Sequence, residues 1–315
     1  MMECTDRHFR YFVRLLSRHA RLYTEMVTTH AVLNGRRDFL LGYDPGEHPV
    51  ALQLGGSEPD ELERCAAVAA EYGYDEVNLN VGCPSDRVQS GRFGACLMAE
   101  PDRVKECVQA MTRGGGLPIT VKTRIGIDNR DSYEELRNFI STVAEGGCRL
   151  FIIHARKAWL HGLSPKENRE KPPLRYDVAQ RLILDFPNLD FVLNGGVTSL
   201  DQAEQWLREF EGVMIGREAY RDPMMLAEID RRFHGAVEPP LSRTEVVRAY
   251  IPYVRDRLAH GERLHFITRH LHGLFLGIKG AKSWRKALAE GSAQHDAGAE
   301  VLEHALEELS LASAD

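Results

Sequence analysis

Asp75-Glu76-Val77-Asn78-Leu79-Asn80-Val81-Gly82-Cys83-Pro84 reads as a strand that ends in a displayed thiol. From Asp75 to Asn80 apolar and polar residues alternate with the period of a half-buried strand. The chain then runs through Ser85-Asp86-Arg87 to Gly91-Arg92-Phe93-Gly94-Ala95-Cys96-Leu97-Met98, and from Asp102 to Met111 the apolar spacing becomes helical. Cys83 therefore sits in a strand-to-helix loop, where α/β proteins keep their chemistry. Gly82 is permissive and Pro84 fixes φ, so together they aim the sulfur above the strand ends. The bland alternative is a small cysteine packed in a tight turn.

Outward from this stretch the same unit repeats. Strand patterns fall at Leu22–Val27, Pro49–Leu54, Glu76–Asn80, Pro118–Thr123, Leu150–Ile153, Asp190–Leu193 and Gly212–Ile215. Between them lie helical patterns at Pro59–Glu71, Asp102–Met111, Tyr133–Ala144, Tyr176–Leu184, Ser199–Phe210 and Met224–Phe233, and a helical spacing opens the chain over Thr5–His19. Strands alternating with helices predict a parallel sheet, and the size and rhythm fit a (β/α)8 TIM barrel. A doubly wound open sheet is the runner-up, but no G-x-G-x-x-G opens any helix.

The polar residues gather at one end of these strands. In turn the strands end in Gln53, Asn80, Lys122 and Arg124, His154, Asn194-Gly195-Gly196, and Gly216-Arg217. In a barrel this is the active-site rim, and the loops after its last two strands commonly hold a phosphate on backbone N–H groups beside glycine. Lys122 and His154 would donate to an electron-rich ring and Gln53 and Asn80 would read its amide edge, which suits flavin mononucleotide better than a bare sugar phosphate. Between His154 and Tyr176 the loop is far longer than the usual span of about 2–6 residues. Its Lys157, Lys166, Arg169 and Lys171 are placed to hold phosphates of a large substrate.

After Pro239-Pro240 only helical patterns remain: Thr244–Leu258, Phe266–Leu276, Ala281–Leu288 and Ala299–Leu311. We therefore expect a barrel domain over residues 1–238 and a small all-helical domain over residues 239–315. The net charge of -6 hides an asymmetry. From Arg243 to Lys286 ten Lys/Arg face three acids, a net of +7, whereas from Ala287 to Asp315 seven acids face no Lys or Arg. A basic block attracts phosphates locally whatever the total charge. Lys282, Arg285 and Lys286 fall at i, i+3 and i+4 of one helix, a plausible clamp on a nucleic-acid backbone, and Trp284 beside them is expected in the core.

Composition excludes several classes. With 43% hydrophobic and 27% charged residues the chain is globular rather than disordered. No apolar run nears the roughly 18 residues of a membrane span, and the first residues lack an apolar signal core, so a cytoplasmic enzyme is expected. Cysteines at 4, 65, 83, 96, 107 and 148 form no CxxC pair, so neither a disulfide framework nor a metal site is indicated. Cys65, Cys107 and Cys148 read as core.

Asn78–Gln89, His154-Ala155-Arg156-Lys157-Ala158-Trp159-Leu160, Ser164-Pro165-Lys166-Glu167-Asn168-Arg169-Glu170 and Gly280-Ala281-Lys282-Ser283-Trp284-Arg285 together resemble the tRNA-dihydrouridine synthases of the A-type subgroup. The resemblance covers essentially the whole chain. It implies an FMN-binding barrel, an RNA-binding helical domain, NADPH as the electron source, and D-loop uridines of tRNA, at positions 20 and 20a, as substrate; a monomer is expected. It puts Met1, Met2, Gln53, Lys122, His154, Asn194, Gly195, Gly196, Gly216 and Arg217 on FMN. Asn80, Lys166, Arg169, Lys282 and Arg285 fall where the family meets tRNA, and Cys83 becomes the proton donor, with Lys122 and Arg124 near the uracil carbonyls. Saturating the uracil C5–C6 bond needs a hydride at C6 and a proton at C5. An ordinary thiol, with a pKa of about 8.5, is protonated at neutral pH and acidic enough to give that proton up.

The family's chains open with a strand ending in a Pro-Met pair, whereas this sequence opens at Met1-Met2-Glu3-Cys4. We therefore expect a barrel without its first strand. Of a start placed too late, a truncation and a substitute segment, the first is the preferred reading, and it implies weak FMN retention. Two other functions fit parts of the pattern: a flavin oxidoreductase of a free pyrimidine, and a non-catalytic RNA-binding protein.

Overall fold

The computed structural model describes residues 1–314, which group into two compact units. The first contains Met1 and residues 21–43 and 48–216; the second contains residues 2–20, 44–47 and those from 217 onward.

The first unit is built on seven strands, β1 (Leu22–Thr28), β2 (Val50–Gly55), β3 (Glu76–Val81), β4 (Ile119–Arg124), β5 (Leu150–His154), β6 (Asp190–Asn194) and β7 (Gly212–Met214). They pair in sequence order and every pair is parallel. The result is a curled, half-open (β/α)8-like sheet, in line with a barrel of seven strands. Among the described residues β1 and β7 are its edges. Met1 lies at the end of β7, its Sδ 3.7 Å from where a Cβ on Gly216 would stand. Every residue of β2 and β3 is buried, because one face looks into the curl and the other is covered by helices. On that covering layer the helix Pro59–Glu71 lies backbone-close to Pro101–Gly115: a Cβ on Gly114 would stand 2.0 Å from the Glu63 carbonyl oxygen. The core includes Cys65, Cys107 and Cys148, as expected, and burial pushes each of these thiols up to about 12.

In the second unit Asp6 caps the helix Arg7–Leu16 by accepting from the backbone N–H groups of His8 and Phe9, both at 3.0 Å. Its carboxylate also meets Arg269 at 2.6 Å and His270 at 2.9 Å. Burial by itself would raise this carboxyl, but the hydrogen bond and charge of His270 carry it well below the usual range. Tyr11 stacks on Tyr253 at 4.0 Å, and Arg10 pairs with the buried Glu47 at 2.7 Å. The longest helix, Arg243–Ala259, starts in a capping box of Ser242 and Glu245. Ala281–Ser292 and Glu300–Ala314 follow, and Trp284 is wholly buried with its indole N–H on the Leu271 carbonyl.

Four expected helices are shorter, the first of them Thr5–His19, which is helical over Arg7–Leu16. Phe266–Leu276 is a helix only over Leu264–Thr268, followed by a 3-10 turn at Arg269–Leu271. Gly273 then passes so close to Arg221 that a Cβ would stand 2.4 Å from its carbonyl oxygen, and Gly277 and Gly280 take φ +76 and φ +84. The Ser199–Phe210 pattern is helical over Leu200–Trp206, and Met224–Phe233 divides into a 3-10 turn (Pro223–Glu228) and a short helix (Ile229–Phe233). Among the described residues no helix is long and apolar enough to cross a membrane.

Candidate active site

The carboxyl ends of the strands supply the site, and β3 sets its centre. Asn80, at the end of β3, accepts the N–H of Gly82 at 3.1 Å and of Cys83 at 2.6 Å on its Oδ1. A carboxamide that captures the backbone two and three residues on is a turn-former, and here it bends the chain so that Cys83 stands over the strand ends, half-buried, with Sγ 3.6 Å from Ser85 Oγ. From the other side the Ala95 N–H donates to the Cys83 carbonyl at 2.9 Å. Gly94, at φ +78, allows this approach, since a Cβ there would lie 2.5 Å from that same oxygen. The Asn80 Nδ2 donates to Gln53 Oε1 at 2.9 Å. Asn80 is thus only 9% exposed, and the contacts it makes are inside the protein.

β4 brings Lys122 into register with Asn80. Its Nζ reaches past β5 to Asn194 Oδ1 at 3.0 Å, and Asn194 Nδ2 donates to the Met214 carbonyl at 2.8 Å. Burial, with Arg124 nearby, pushes the Lys122 ammonium down to about 7. Arg124 is buried too, and burial lowers its guanidinium to about 10, which leaves it cationic at neutral pH. Its Nε donates to the Gly82 carbonyl at 3.1 Å, and its Nη1 to the carbonyls of Lys157 and Asn168 at 3.2 and 2.9 Å. Sequence reasoning placed Arg124 beside a substrate; the structure adds that it fastens the cysteine loop to the long loop after β5.

Two residues of this fastening had no role in the sequence reading. Asn168 is wholly buried, accepts the Trp159 N–H at 2.8 Å and donates to the Trp159 and Leu163 carbonyls. Gln89 donates from Nε2 to the carbonyls of Pro84 and Leu160, at 3.0 and 2.6 Å. The signal available was the loop's length: so many residues outside regular structure need side chains to satisfy their backbone.

His154, in register with Arg124 and Asn194, packs against Gly195, where a Cβ would stand 2.6 Å from the imidazole Cδ2. Gly195 and Gly196 take φ +110 and φ +74, and Tyr176 holds the Gly195 carbonyl at 2.8 Å. The structure thus brings Gln53, Asn80, Cys83, Lys122, Arg124, His154, Asn194, Gly195 and Gly196 together on one rim, with Met1 beside Gly216. Lys166 and Arg169 are exposed on the long loop of the same unit. Met2, Arg217, Lys282 and Arg285 belong to the second unit, where Lys282 and Arg285 are exposed on one helix. Among the described residues no cluster of His, Cys, Asp and Glu could hold a metal ion. The rim is rich in N–H donors and glycine-lined at β6, which fits an anionic ligand with an electron-rich ring.

A parallel βα repeat with its chemistry confined to the carboxyl rim is the plan of a (β/α)8 enzyme. The chain belongs to the dihydrouridine synthase (Dus) family, which it matches over residues 1–310. It is 59% identical over 309 residues to the tRNA-dihydrouridine(20/20a) synthase of Shewanella oneidensis, an alignment covering 98% of this chain and 92% of that protein. To the proteins of the same name from Escherichia coli (strain K12) and Synechocystis it is 56% identical over 309 residues and 54% identical over 307. Those alignments cover 97% and 98% of this chain and 89% and 92% of the relatives.

Proposed function

We propose that this enzyme reduces uridine to 5,6-dihydrouridine in the D-loop of tRNA, at positions 20 and 20a, with FMN as cofactor and NADPH as reductant. The observation that carries the reading is the Cys83 loop, held by Asn80 and Arg124 over a rim of hydrogen-bond donors. Lys122, His154, Gln53, Asn194, the glycines at 195, 196 and 216, Arg217, Met1 and Met2 would hold the flavin. When bound and reduced by NADPH, FMN supplies the hydride for uracil C6. Cys83 holds the matching proton at Sγ and delivers it to C5. Lys122, once ligand binding has returned its proton, opposes the negative charge that develops on the pyrimidine oxygens, while Arg124 keeps the cysteine loop in place.

Lys166, Arg169, Lys282 and Arg285 meet the tRNA backbone, and Asn80 bears on it through the loop it shapes. In this reading residues 1–238 carry the flavin chemistry and residues 239–315 the helical tRNA-binding part. The target uridine must leave its stack to reach the rim, as base-modifying enzymes require.

Cys83→Ala tests the reading. It should leave flavin and tRNA binding near normal and lower turnover by about 10²–10⁴-fold, the usual cost of a lost proton transfer. Full dihydrouridine yield from the variant in a single turnover would remove Cys83 from the mechanism. A wild-type protein that purifies colourless and takes up no FMN would sink the cofactor assignment.

A further inference from the structure

Five buried side chains of the first unit form a one-way chain of hydrogen bonds that starts at the cysteine loop. The Cys83 N–H donates to Asn80 Oδ1 at 2.6 Å, Asn80 Nδ2 to Gln53 Oε1 at 2.9 Å, and Gln53 Nε2 to Asn78 Oδ1 at 2.8 Å. Asn78 Nδ2 then donates to Thr120 Oγ1 at 2.8 Å, and Thr120 Oγ1 to Glu76 Oε1 at 2.5 Å. Glu76 and Asn78 are wholly buried, Thr120 is 3% exposed, and Gln53 and Asn80 are 9% exposed. Glu76 closes the chain, paired with Arg21 and accepting the Tyr23 hydroxyl at 3.0 Å.

The direction of this chain follows from its two ends. A carboxylate paired with a guanidinium can only accept, so Thr120 must donate to Glu76. The Thr120 oxygen is then the acceptor it turns to Asn78, which sets the Asn78 amide, and that sets Gln53 and then Asn80. At the far end a backbone N–H can only donate, so Asn80 must turn its oxygen to the Cys83 loop. Both ends demand the same polarity, and a flip of any carboxamide between them would face oxygen with oxygen and nitrogen with nitrogen. Chains polarised in one sense also strengthen their members.

We propose that Glu76 is a positioning residue which, acting through Thr120 and Asn78, fixes which way the Gln53 amide faces and, through Asn80, locks the turn that presents Cys83. Glu76 stands at the opposite end of β3 from the chemistry. The inference rests on the flavin reading only where Gln53 is said to meet the cofactor.

The test is Thr120→Val, which keeps the shape and β-branching but breaks the chain, compared with Thr120→Ser, which keeps the hydroxyl. On flavin-free protein the readout is the NMR resonances of the Gln53 and Asn80 carboxamides and of the Gly82 and Cys83 amides. We expect Thr120→Val to move all four and to weaken FMN binding about tenfold, since correctly aimed hydrogen bonds are lost, and Thr120→Ser to restore both. Glu76→Gln serves if the valine variant does not fold: its amide can donate to Thr120, which releases the constraint, so the Gln53 and Asn80 resonances should shift or double. Unmoved resonances in a folded Thr120→Val or Glu76→Gln protein, or a serine variant as perturbed as the valine one, would overturn the proposal. Because these signals are read without flavin, their movement upholds the chain even if FMN uptake fails, which would sink only the cofactor assignment.

Discussion

Lys122 carries its proton loosely because burial, reinforced by the Arg124 cation, lowers it to about 7. In the unfolded chain a lysine keeps its proton to about pH 10.4. Between these values the unfolded state binds more protons than the folded one, so the ligand-free protein should gain stability as pH rises from about 7 toward 10. Below 7 the cost of the buried charge is present in full. An anionic or electron-rich ligand beside Nζ returns the proton, and FMN binding should therefore take up as much as one proton at about pH 8. Calorimetry in buffers of different ionisation heat reads this directly, and binding without proton uptake would place the ligand away from Lys122. The placement of Cys83 in the loop over the strand ends was legible in the sequence, because glycine and proline on either side fix where the chain can turn. The contacts of Arg124 were not, since a guanidinium at a strand end reads as a ligand donor until the three carbonyls it bonds are in view.

At the scale of the element, the long loop after β5 is held by Arg124, by Gln89 and, from within, by the buried carboxamide of Asn168. Asn168→Ala removes an acceptor from the Trp159 N–H and a donor from the Trp159 and Leu163 carbonyls. Leaving such groups unpaired costs about 1–3 kcal/mol. We expect a lower melting temperature and faster hydrogen exchange over residues 157–169, with exchange in β2 and β3 little changed. An exchange pattern identical to wild type would show that Arg124 and Gln89 suffice. Strands were easier to read than helices: each of the seven begins within one residue of its expected start, because a buried parallel strand has a dense apolar pattern bounded by polar ends. The helical stretch at Phe266–Leu276 failed because the apolar spacing continues through Gly273, whose close approach to Arg221 is a tertiary fact. Thr29–Asn34 and Arg37–Leu41 are helices too short to show a period.

At the scale of the molecule, the overall charge of -6 coexists with a basic helical block. Reversing charge at Lys282 and Arg285 together should weaken tRNA binding and flatten its salt dependence by up to about two phosphate contacts, while reduction of the bound flavin by NADPH stays normal. An unchanged salt slope would make that helix face plain solvated surface. The second unit has another property that follows from the order of its parts. His8 bonds Tyr253, 245 residues further on, and Asp6 bonds His270, 264 further on. At a synthesis rate of about 5–20 residues per second, the helix Arg7–Leu16 leaves the ribosome roughly tens of seconds before its partners exist, and the whole βα repeat is made in the interval. Phe9, Phe12, Val13 and Leu16, buried in the finished protein, are meanwhile a bare apolar stripe on a nascent chain. The pace of elongation through the barrel therefore sets how long this stripe waits for the residues that will cover it.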